Sequence, residues 1–558
     1  MVKRTIGFSA AVLILVLVAA GCGGGKKKKA PASAGGKGGT MTLLANAAPS
    51  GSPDPQVNYT LQEWQLLIFT HDGLTAFKRV GGAAGGKIVP DLAESIPKPT
   101  NGGKTWTFKL RSGIKFSNGQ TVTGNDVKAT FERLFKIGNS PNAGTWYNVI
   151  EGGDACVKTP KTCDLSKGIV VNGNTVTFHL TTADPEFLDK LGVPFAFILP
   201  ASTPAKNVNI PPPGTGPYKW AQYAPNKQIK LVRNPFFKEW SKDAQPAGNP
   251  DVMIQKFGLS VEAEVTAVEN NQADWMFDPP PADRLSELGN KYASRVHINP
   301  LTAIYYFAFN VREKPFDNLK ARQAVNLATD RNALVKIQGG PNLAVPTCQI
   351  LPPNFPGYKP YCPYTKNPGS KWTAPDLAKA KQLVAQSGTK GATVKVNTDT
   401  TDIDKALGLY FVGLLNSLGY KASLQALSAD IQYPYAQNSK NHVQFAYSSW
   451  YQDYPAASDF LNILLGCGSF HPNSNSSPNI AEFCDKGIQA KMDQAGKLGI
   501  TDPTASNKLW AQVDKEVTDQ APWVAMYNPK LIDFVSKRVK GYQFSPQWYF
   551  LLDQASVK

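Results

Sequence analysis

The feature that most constrains the fold is the length of the continuous globular sequence that begins near residue 40. More than 500 residues follow, at an overall hydrophobic content of 42%. A single hydrophobic core stops growing at about 250–300 residues, so a chain of this length divides into at least two lobes. Strand and helix patterns alternate without strict order and without a repeat of about 20–50 residues, which favours mixed α/β and α+β lobes.

Local patterns place the first elements. In Thr105–Leu110 every second residue is large and apolar, which predicts a half-buried strand. Thr123 stands three residues before Asp126, a spacing typical of a helix start, and an apolar helical pattern follows it. Val176–Leu180 repeats the strand pattern.

The later half of the chain carries stronger helical patterns. Asp317 is placed to cap a helix that runs to Ala328. Apolar residues at helical spacing also mark a helix that ends at Gly388 and another that ends at Gly419.

Residues 1–21 read as a secretion signal, because Lys3 and Arg4 precede an apolar run, Phe8–Ala20, that stops at Gly21-Cys22. That run is too short to span a bilayer comfortably. An ordinary cleaved signal is the alternative to lipid attachment at the cysteine.

The stretch from Cys22 to residue 39 contains no large apolar residue and is predicted to be a flexible tether. The lysines Lys26–Lys29 would either contact anionic lipid or keep the tether solvated as a spacer. The formal charge of +17 is otherwise spread without an Arg-rich helix, which argues against a nucleic-acid partner.

Enzyme signatures are sparse. The sequence has no GxSxG elbow and no HExxH helix, and its five histidines are scattered. Gly81–Lys87 approaches a phosphate loop, but Ile88 stands where Ser or Thr would bind magnesium. Gly214–Tyr218 resembles half of a dinucleotide fingerprint, but Pro217 opposes a helix there, so a turn with a packed tyrosine is favoured. We expect no catalytic residues, cofactor or metal.

Six cysteines follow Cys22 and form three local couples: Cys156 with Cys163, Cys348 with Cys362, and Cys467 with Cys484. Six cysteines allow about 15 pairings, and closeness within each couple favours the sequential one in an exported chain. Zinc held by Cys467, His471 and Cys484 is the alternative, although only one histidine lies near and no CxxC supplies further ligands.

A series of ordered motifs extends across nearly the whole chain: Thr105–Val127, His71–Leu74, Gly214–Tyr218, Leu231–Pro235, Asn271–Asp274, Asp317–Arg331 and Trp450–Tyr454. Together these motifs resemble those of the solute-binding proteins of peptide- and nickel-type ABC importers. Val18–Cys22 also resembles the lipobox of bacterial lipoproteins, which implies lipidation of Cys22.

The resemblance implies a periplasmic-binding-protein-like α/β fold with two main lobes, a two-strand hinge and a small inserted domain. The hinge is expected near Leu301–Phe309 and Ala521–Tyr527. Domain I is expected to consist of residues 40–80, 201–300 and 523–558. Domain II is expected at 81–200 and domain III at 301–522.

The resemblance also implies a site in the cleft between domains I and III. The family pairs the acidic residue of its W-x-x-D motif with the free α-amino group of a peptide, which points to Asp453. The walls of the site would be lined by Trp450, Tyr451 and Tyr454, unless these aromatic residues belong to the core. Tyr59–Leu61 resembles the family's backbone-contact segment, which adds Tyr59 and Leu61. Alternatively, Asp453 only caps a turn before Pro455.

The expected protein is a monomeric, extracytoplasmic lipoprotein that binds peptides, hands them to ABC permease subunits and meets the membrane through its lipid anchor. Two alternatives stay open at this point. One is the same fold with a non-peptide solute, such as an oligosaccharide or a metal chelate. The other is an extracytoplasmic enzyme.

Overall fold

The computed structural model describes residues 36–137 and 141–557. The signal segment, Cys22 and most of the tether therefore lie outside the described residues. From Gly38 onward the chain is attached to the folded body, because the Gly38 N–H donates to the Asn249 carbonyl (2.7 Å) and the Gly39 N–H donates to Asp251 Oδ2 (3.0 Å).

The first lobe is built on a five-stranded sheet, in which Thr40–Ala45 pairs in parallel with both of its neighbours and the other two pairs are antiparallel. In spatial order its strands are Trp275–Met276, Thr40–Ala45, Val252–Phe257, Gln228–Arg233 and Tyr218–Ala224.

A three-stranded antiparallel sheet packs into the same hydrophobic core as this lobe. Its strands, in spatial order, are Thr105–Lys109, Thr175–His179 and Ile169–Asn172. Trp106 and Phe108 are buried, as the alternation predicts. Two short hairpins complete the strands on this side: Thr75–Phe77 with Ile88–Pro90, and Phe544–Ser545 with Tyr549–Phe550.

The second lobe is built on a seven-stranded mixed sheet whose two faces carry separate hydrophobic cores. Six strands follow in the spatial order Val296–Pro300, Trp523–Phe534, Ala303–Phe309, Phe445–Tyr451, Thr393–Asp399 and Lys421–Leu427. The seventh, Ala344–Pro346, pairs with Trp523–Phe534.

The two predicted hinge segments are neighbouring strands. Ala303–Phe309 pairs antiparallel with the first half of Trp523–Phe534. The second half of that strand runs on to the first lobe, where Trp275 bridges to Val535. Two adjacent extended segments of this kind allow the lobes to move by small dihedral changes.

The helices among the described residues flank these sheets. Their bounds are Leu61–Leu67, Gly124–Lys136, Pro141–Tyr147, Gly153–Lys158, Phe187–Lys190, Val261–Glu269, Leu285–Lys291, Leu319–Ala328, Arg331–Ile337, Leu377–Ser387, Asp402–Ser417, Ala429–Gln437, Ser458–Leu465, Lys486–Thr501 and Pro503–Asp519. In the described part of the chain, none of them is both long and apolar enough to cross a membrane.

The helix boundaries follow local chemistry. The predicted start at Thr123 is confirmed, since Asp126 Oδ2 accepts from the Thr123 N–H at 2.8 Å. The stops at Gly388 and Gly419 are also confirmed, and both glycines have positive φ. The prediction that Asp317 caps the next helix is wrong by one residue. Asn318 caps it, because its Oδ1 accepts from the Lys320 N–H at 2.9 Å.

The three cysteine couples form disulfides in the structure: Cys156–Cys163, Cys348–Cys362 and Cys467–Cys484. The last of these bonds joins Cys467 to Cys484, so neither cysteine is free to bind zinc as a thiolate. In the described residues, no group of three or more His, Cys, Asp or Glu side chains is arranged to hold a metal ion.

Candidate ligand-binding site

The candidate site lies where the strand Phe445–Tyr451 ends and the chain turns toward the first lobe. Asp453 sits in this turn with only 7% of its surface exposed. Its N–H donates to Asp459 Oδ2 (3.0 Å), and its carbonyl accepts from Gln547 Nε2 (2.6 Å). These bonds fix the backbone at Asp453 and direct its side chain into the boundary between the lobes.

The side chain of Asp453 meets Tyr59, which lies 394 residues earlier in the chain. The Tyr59 hydroxyl donates to Asp453 Oδ2 at 2.5 Å. Tyr59 belongs to the first lobe, where it stacks on Trp64 with ring centroids 5.4 Å apart. The structure therefore brings together two residues that the sequence predicted for the site from motifs far apart.

Among the residues that the structure describes, no Lys, Arg or His forms a hydrogen bond or ion pair with the Asp453 carboxyl. Burial raises its pKa to about 7, and the hydrogen bond from Tyr59 opposes that rise. A hydroxyl compensates a buried carboxylate only in part. A ligand cation at this place would gain a charge-assisted hydrogen bond in a water-poor setting.

Two further carboxyl groups make this boundary acidic. Asp459 is fully buried, and burial followed by the charge of Asp453 raises its pKa well above the usual range. Glu186, from the first lobe, accepts from Ser458 Oγ at 2.8 Å. Burial, with a contribution from Asp184, raises the pKa of Glu186 to about 8. The nearby Lys190 is already paired with Asp184 at 2.7 Å.

The aromatic residues predicted beside Asp453 have different surroundings. Tyr454 is buried and meets Trp146 edge-on, with centroids 5.6 Å apart. Trp450 is half-buried and packs against the core of the second lobe. Tyr451 is 37% exposed, and its hydroxyl shares a hydrogen bond with the Tyr305 hydroxyl at 2.6 Å. Tyr451 and Tyr454 are thus the two with an aromatic surface at the lobe boundary.

The segment Tyr59–Leu61 is only partly free for backbone pairing. The Thr60 N–H donates to Asn58 Oδ1 (2.9 Å), and its carbonyl accepts from the Trp64 N–H (3.0 Å). Leu61 opens a helix and is 37% exposed. Any backbone contact from this segment to a ligand would therefore use Tyr59 or Leu61.

A cavity of about 550 Å³ lies beside this cleft. On one side it is lined by Gly144, Asn148 and Asp154, just beyond Trp146. On the other side Asn462 and Gln489 of the second lobe face it. Sequence reasoning missed this cavity, because its two walls are more than 300 positions apart in the chain.

The two glycine motifs have structural roles. A Cβ on Gly214 would lie 2.1 Å from the Thr70 carbonyl oxygen, so the turn needs glycine for close backbone packing. The Tyr218 that follows is fully buried and donates to the Pro250 carbonyl at 2.7 Å. In Gly81–Lys87 the chain forms a short, mostly exposed 3₁₀ turn at Ala83–Gly86.

Known proteins resemble this chain over most of its length. A glutathione-binding protein of Salmonella typhi is 25% identical over 481 residues, which are 85% of this chain and 86% of the relative. A probable di/tripeptide-binding protein of Pseudomonas aeruginosa is 26% identical over 530 residues, 91% of this chain and 93% of the relative. Among solved structures, a clavulanic acid biosynthesis oligopeptide binding protein superposes with a TM-score of 0.84 at 23% identity, over 94% of this chain and 99% of that one.

The structural likeness confirms the two-lobed fold expected from the sequence. The family described as bacterial extracellular solute-binding proteins, family 5 Middle, matches residues 87–472. That range includes the three-stranded sheet, the strand Ala303–Phe309 and Asp453. The chain belongs to the family 5 bacterial extracellular solute-binding proteins.

Proposed function

We propose that this protein captures peptides in the cleft between its lobes and delivers them to the permease of an ABC importer. Asp453 binds the free α-amino group, while Tyr59, Tyr451 and Tyr454 enclose the ligand with Trp450 and Leu61 at its edge. The names of the relatives, which refer to glutathione, di- and tripeptides and oligopeptides, support this ligand class. The protein itself acts as a binding component and performs no catalysis.

The observation that carries the proposal is the state of the Asp453 carboxyl. It is buried at the lobe boundary, has a raised pKa and has a neutral hydroxyl as its side-chain partner. A peptide ammonium supplies the missing charge. A neutral solute would leave the carboxyl desolvated and without a counter-charge.

Calorimetric titration of one peptide in free and N-acetylated forms, against native protein and Asp453→Ala, tests the proposal. Breaking a buried ion pair from one side costs about 3–5 kcal/mol, so free peptide should bind the variant more than about a hundredfold more weakly. The acetylated peptide should bind both proteins poorly. Equal binding of free peptide to both proteins would make Asp453 a structural residue and remove the main chemical support for peptide binding.

The proposed organisation assigns 40–80, 201–300 and 523–558 to domain I, 81–200 to domain II and 301–522 to domain III. The proposed anchor is a lipid on Cys22, which follows a signal covering 1–21. The tether predicted to reach residue 39 would end slightly earlier, because Gly38 and Gly39 are hydrogen-bonded to the folded body. The protein would work as an extracytoplasmic monomer held at the membrane. Cys22→Ala should then be exported but should not partition with membranes, and equal membrane retention of the variant would refute the anchor.

A further inference from the structure

A tyrosine cluster lies beside Asp453 and has no part in binding the α-amino group. It consists of Tyr305, Tyr433, Tyr447, Tyr451 and Tyr527. Tyr305 is at its centre: its ring centroid lies 5.3 Å from that of Tyr527 and 6.1 Å from those of Tyr447 and Tyr451. The Tyr433 hydroxyl lies 3.3 Å from Ser449 Oγ, on the strand that carries Tyr447 and Tyr451.

The topology of the second lobe explains why these residues meet. Strands Thr393–Asp399, Lys421–Leu427 and Phe445–Tyr451 run parallel, so their carboxyl ends share one edge of the sheet. Asp404 follows the first of these ends, Tyr433 follows the second, and Tyr451 ends the third. In open α/β sheets this edge is where ligands bind.

The cluster is buried on one side and exposed on the other. Tyr447 and Tyr527 are buried, whereas Tyr305 and Tyr433 are half-buried. Tyr451, the most exposed member, stands two residues before Asp453. Tyr549 lies close to both, since, after burial, the charges of Tyr451 and Asp453 raise its pKa. The exposed side of the cluster therefore lies next to Asp453.

A carboxyl group, that of Asp404, lies beside the buried side of the cluster. Asp404 is half-buried at the start of the helix Asp402–Ser417. Burial, followed by the hydrogen bond and charge of Asp399, raises its pKa to about 7. Burial is also the main cause of the raised pKa of Tyr527, and the Asp404 carboxylate adds to it.

In the part of the chain that the structure describes, the hydrogen bonds, ion pairs and ring contacts of the five tyrosines and Asp404 involve no Lys, Arg or His. Aromatic faces and hydroxyl oxygens attract a cation, and an ammonium or guanidinium between Asp399 and Asp404 would relieve their mutual repulsion. A ligand carboxylate would meet only like charge. The chemistry of the cluster thus favours a positive group, although the protein as a whole carries a charge of +17.

We infer that the tyrosine cluster and Asp404 form a specificity pocket for a basic side chain, Lys or Arg, in the first two residues of a peptide whose α-amino group is held by Asp453. This inference rests on the proposed function. Each residue of an extended peptide advances about 3.3 Å, so a long side chain near the amino terminus reaches from Asp453 to the pocket beyond Tyr451.

The test compares tripeptides that differ only in charge at one position. Lys-Ala-Ala and Ala-Lys-Ala are titrated calorimetrically against their norleucine counterparts, which keep the length of the side chain without its ammonium. With native protein, the better-placed lysine peptide should bind about tenfold or more tightly than its norleucine partner, because it gains a charge-assisted contact and aromatic faces.

Asp404→Asn should reduce this preference to within about threefold while norleucine peptides keep their affinity, since the lost contact serves only the cation. Tyr451→Phe is a second variant, for the case that Asp404→Asn misfolds. Asp402→Asn is the matched control, because Asp402 lies in the same first helical turn but is exposed. It should keep the full preference for lysine.

The outcomes separate the two claims. If native protein binds free-amino peptides through Asp453 but does not distinguish lysine from norleucine, the pocket assignment is wrong and the proposed function stands. If the preference survives both Asp404→Asn and Tyr451→Phe, its origin lies elsewhere and the assignment is again wrong. If no peptide binds the native protein, the proposed function and the pocket assignment both fail.

Discussion

Two buried aspartates, Asp72 in the first lobe and Asp453 at the lobe boundary, have similar exposure but different partners. Asp72 Oδ2 accepts from Thr215 Oγ1 (2.5 Å), and its Oδ1 accepts from Gln245 Nε2 (2.5 Å). The Arg79 guanidinium adds a favourable charge. Asp453 instead has one side-chain donor, the Tyr59 hydroxyl, which comes from the other lobe.

The difference agrees with the proposed roles of the two carboxyl groups, a structural one for Asp72 and ligand binding for Asp453. Burial raises the pKa of Asp72 to about 6 and that of Asp453 to about 7. At Asp72 two fixed donors and a cation within the lobe offset the cost of burial. At Asp453 the cost is offset only in part, by one neutral hydroxyl that belongs to the other lobe. A raised pKa therefore does not identify a binding residue unless its partners are also considered.

The largest expected effect concerns folding stability. Asp72→Ala removes the acceptor for Thr215 and Gln245 and leaves Arg79 without part of its counter-charge. Such a loss in a buried network typically costs about 3–5 kcal/mol of unfolding free energy. Asp453→Ala removes a carboxyl whose cost of burial is poorly compensated, so we expect the unfolding free energy to change by less than about 1 kcal/mol.

Urea denaturation of both ligand-free variants measures this difference. Asp453→Ala serves as the matched control for Asp72→Ala, because both substitutions delete one buried carboxyl. Equal losses of stability would show that the two sites do not differ in the way their partners suggest.

The sequence predicted the elements of the fold where the determining contacts are local. The start at Thr123, the stops at Gly388 and Gly419 and the three disulfide couples each depend on residues close together in the chain, and the structure confirms them. The error at Asp317 arose because two adjacent residues, Asp317 and Asn318, are both good caps and spacing alone does not choose between them.

The site was predicted only through motif resemblance, since nothing local links Tyr59 to Asp453. Tyr59 was expected to contribute its backbone, whereas the structure shows its hydroxyl on Asp453. The tyrosine cluster was missed because its members come from separate strands and one helix. The alternation of Tyr447, Ser449 and Tyr451 along one strand was the available signal, since these side chains share a face.

The second expected effect is a pH dependence of opposite sign for binding and stability. The groups near Asp453 are Tyr59, Tyr454, Asp459, Glu186 and Tyr549. Asp453 itself has a pKa of about 7, so its carboxylate gains a proton as the pH falls from 7 to 5.5, while a peptide ammonium stays charged. Peptide affinity should therefore fall about tenfold over this range.

The stability of the empty protein should change the other way. The pKa of Asp453 is higher in the folded protein than its usual value of 3.8, so the folded state binds more protons between these two values. Its contribution to stability is therefore present at low pH and is lost as the pH rises through about 7. Titration calorimetry of native protein and Asp453→Asn between pH 5.5 and 7 measures the binding part. A pH dependence that persists in Asp453→Asn would assign it to other groups.

The smallest expected effect comes from removing the Tyr59 hydroxyl, which donates a hydrogen bond to the Asp453 carboxyl. In Tyr59→Phe the aromatic contacts with Trp64 and Phe195 remain possible, and only the hydrogen bond across the lobe boundary is lost. If a peptide ammonium displaces this hydroxyl, the variant removes a competitor worth about 0.5–1.5 kcal/mol, and affinity should rise a few-fold to about tenfold.

The empty Tyr59→Phe protein should also show a larger radius of gyration by small-angle scattering than the empty native protein, while the peptide-bound forms match. Tyr361→Phe is the matched control, because the Tyr361 hydroxyl donates to Asp519 Oδ1 at the same distance of 2.5 Å but within the second lobe. That substitution should alter neither affinity nor radius. Weaker binding by Tyr59→Phe would mean that the hydroxyl contacts the ligand rather than competing with it, and the contrast between Asp453 and Asp72 would then rest on charge alone.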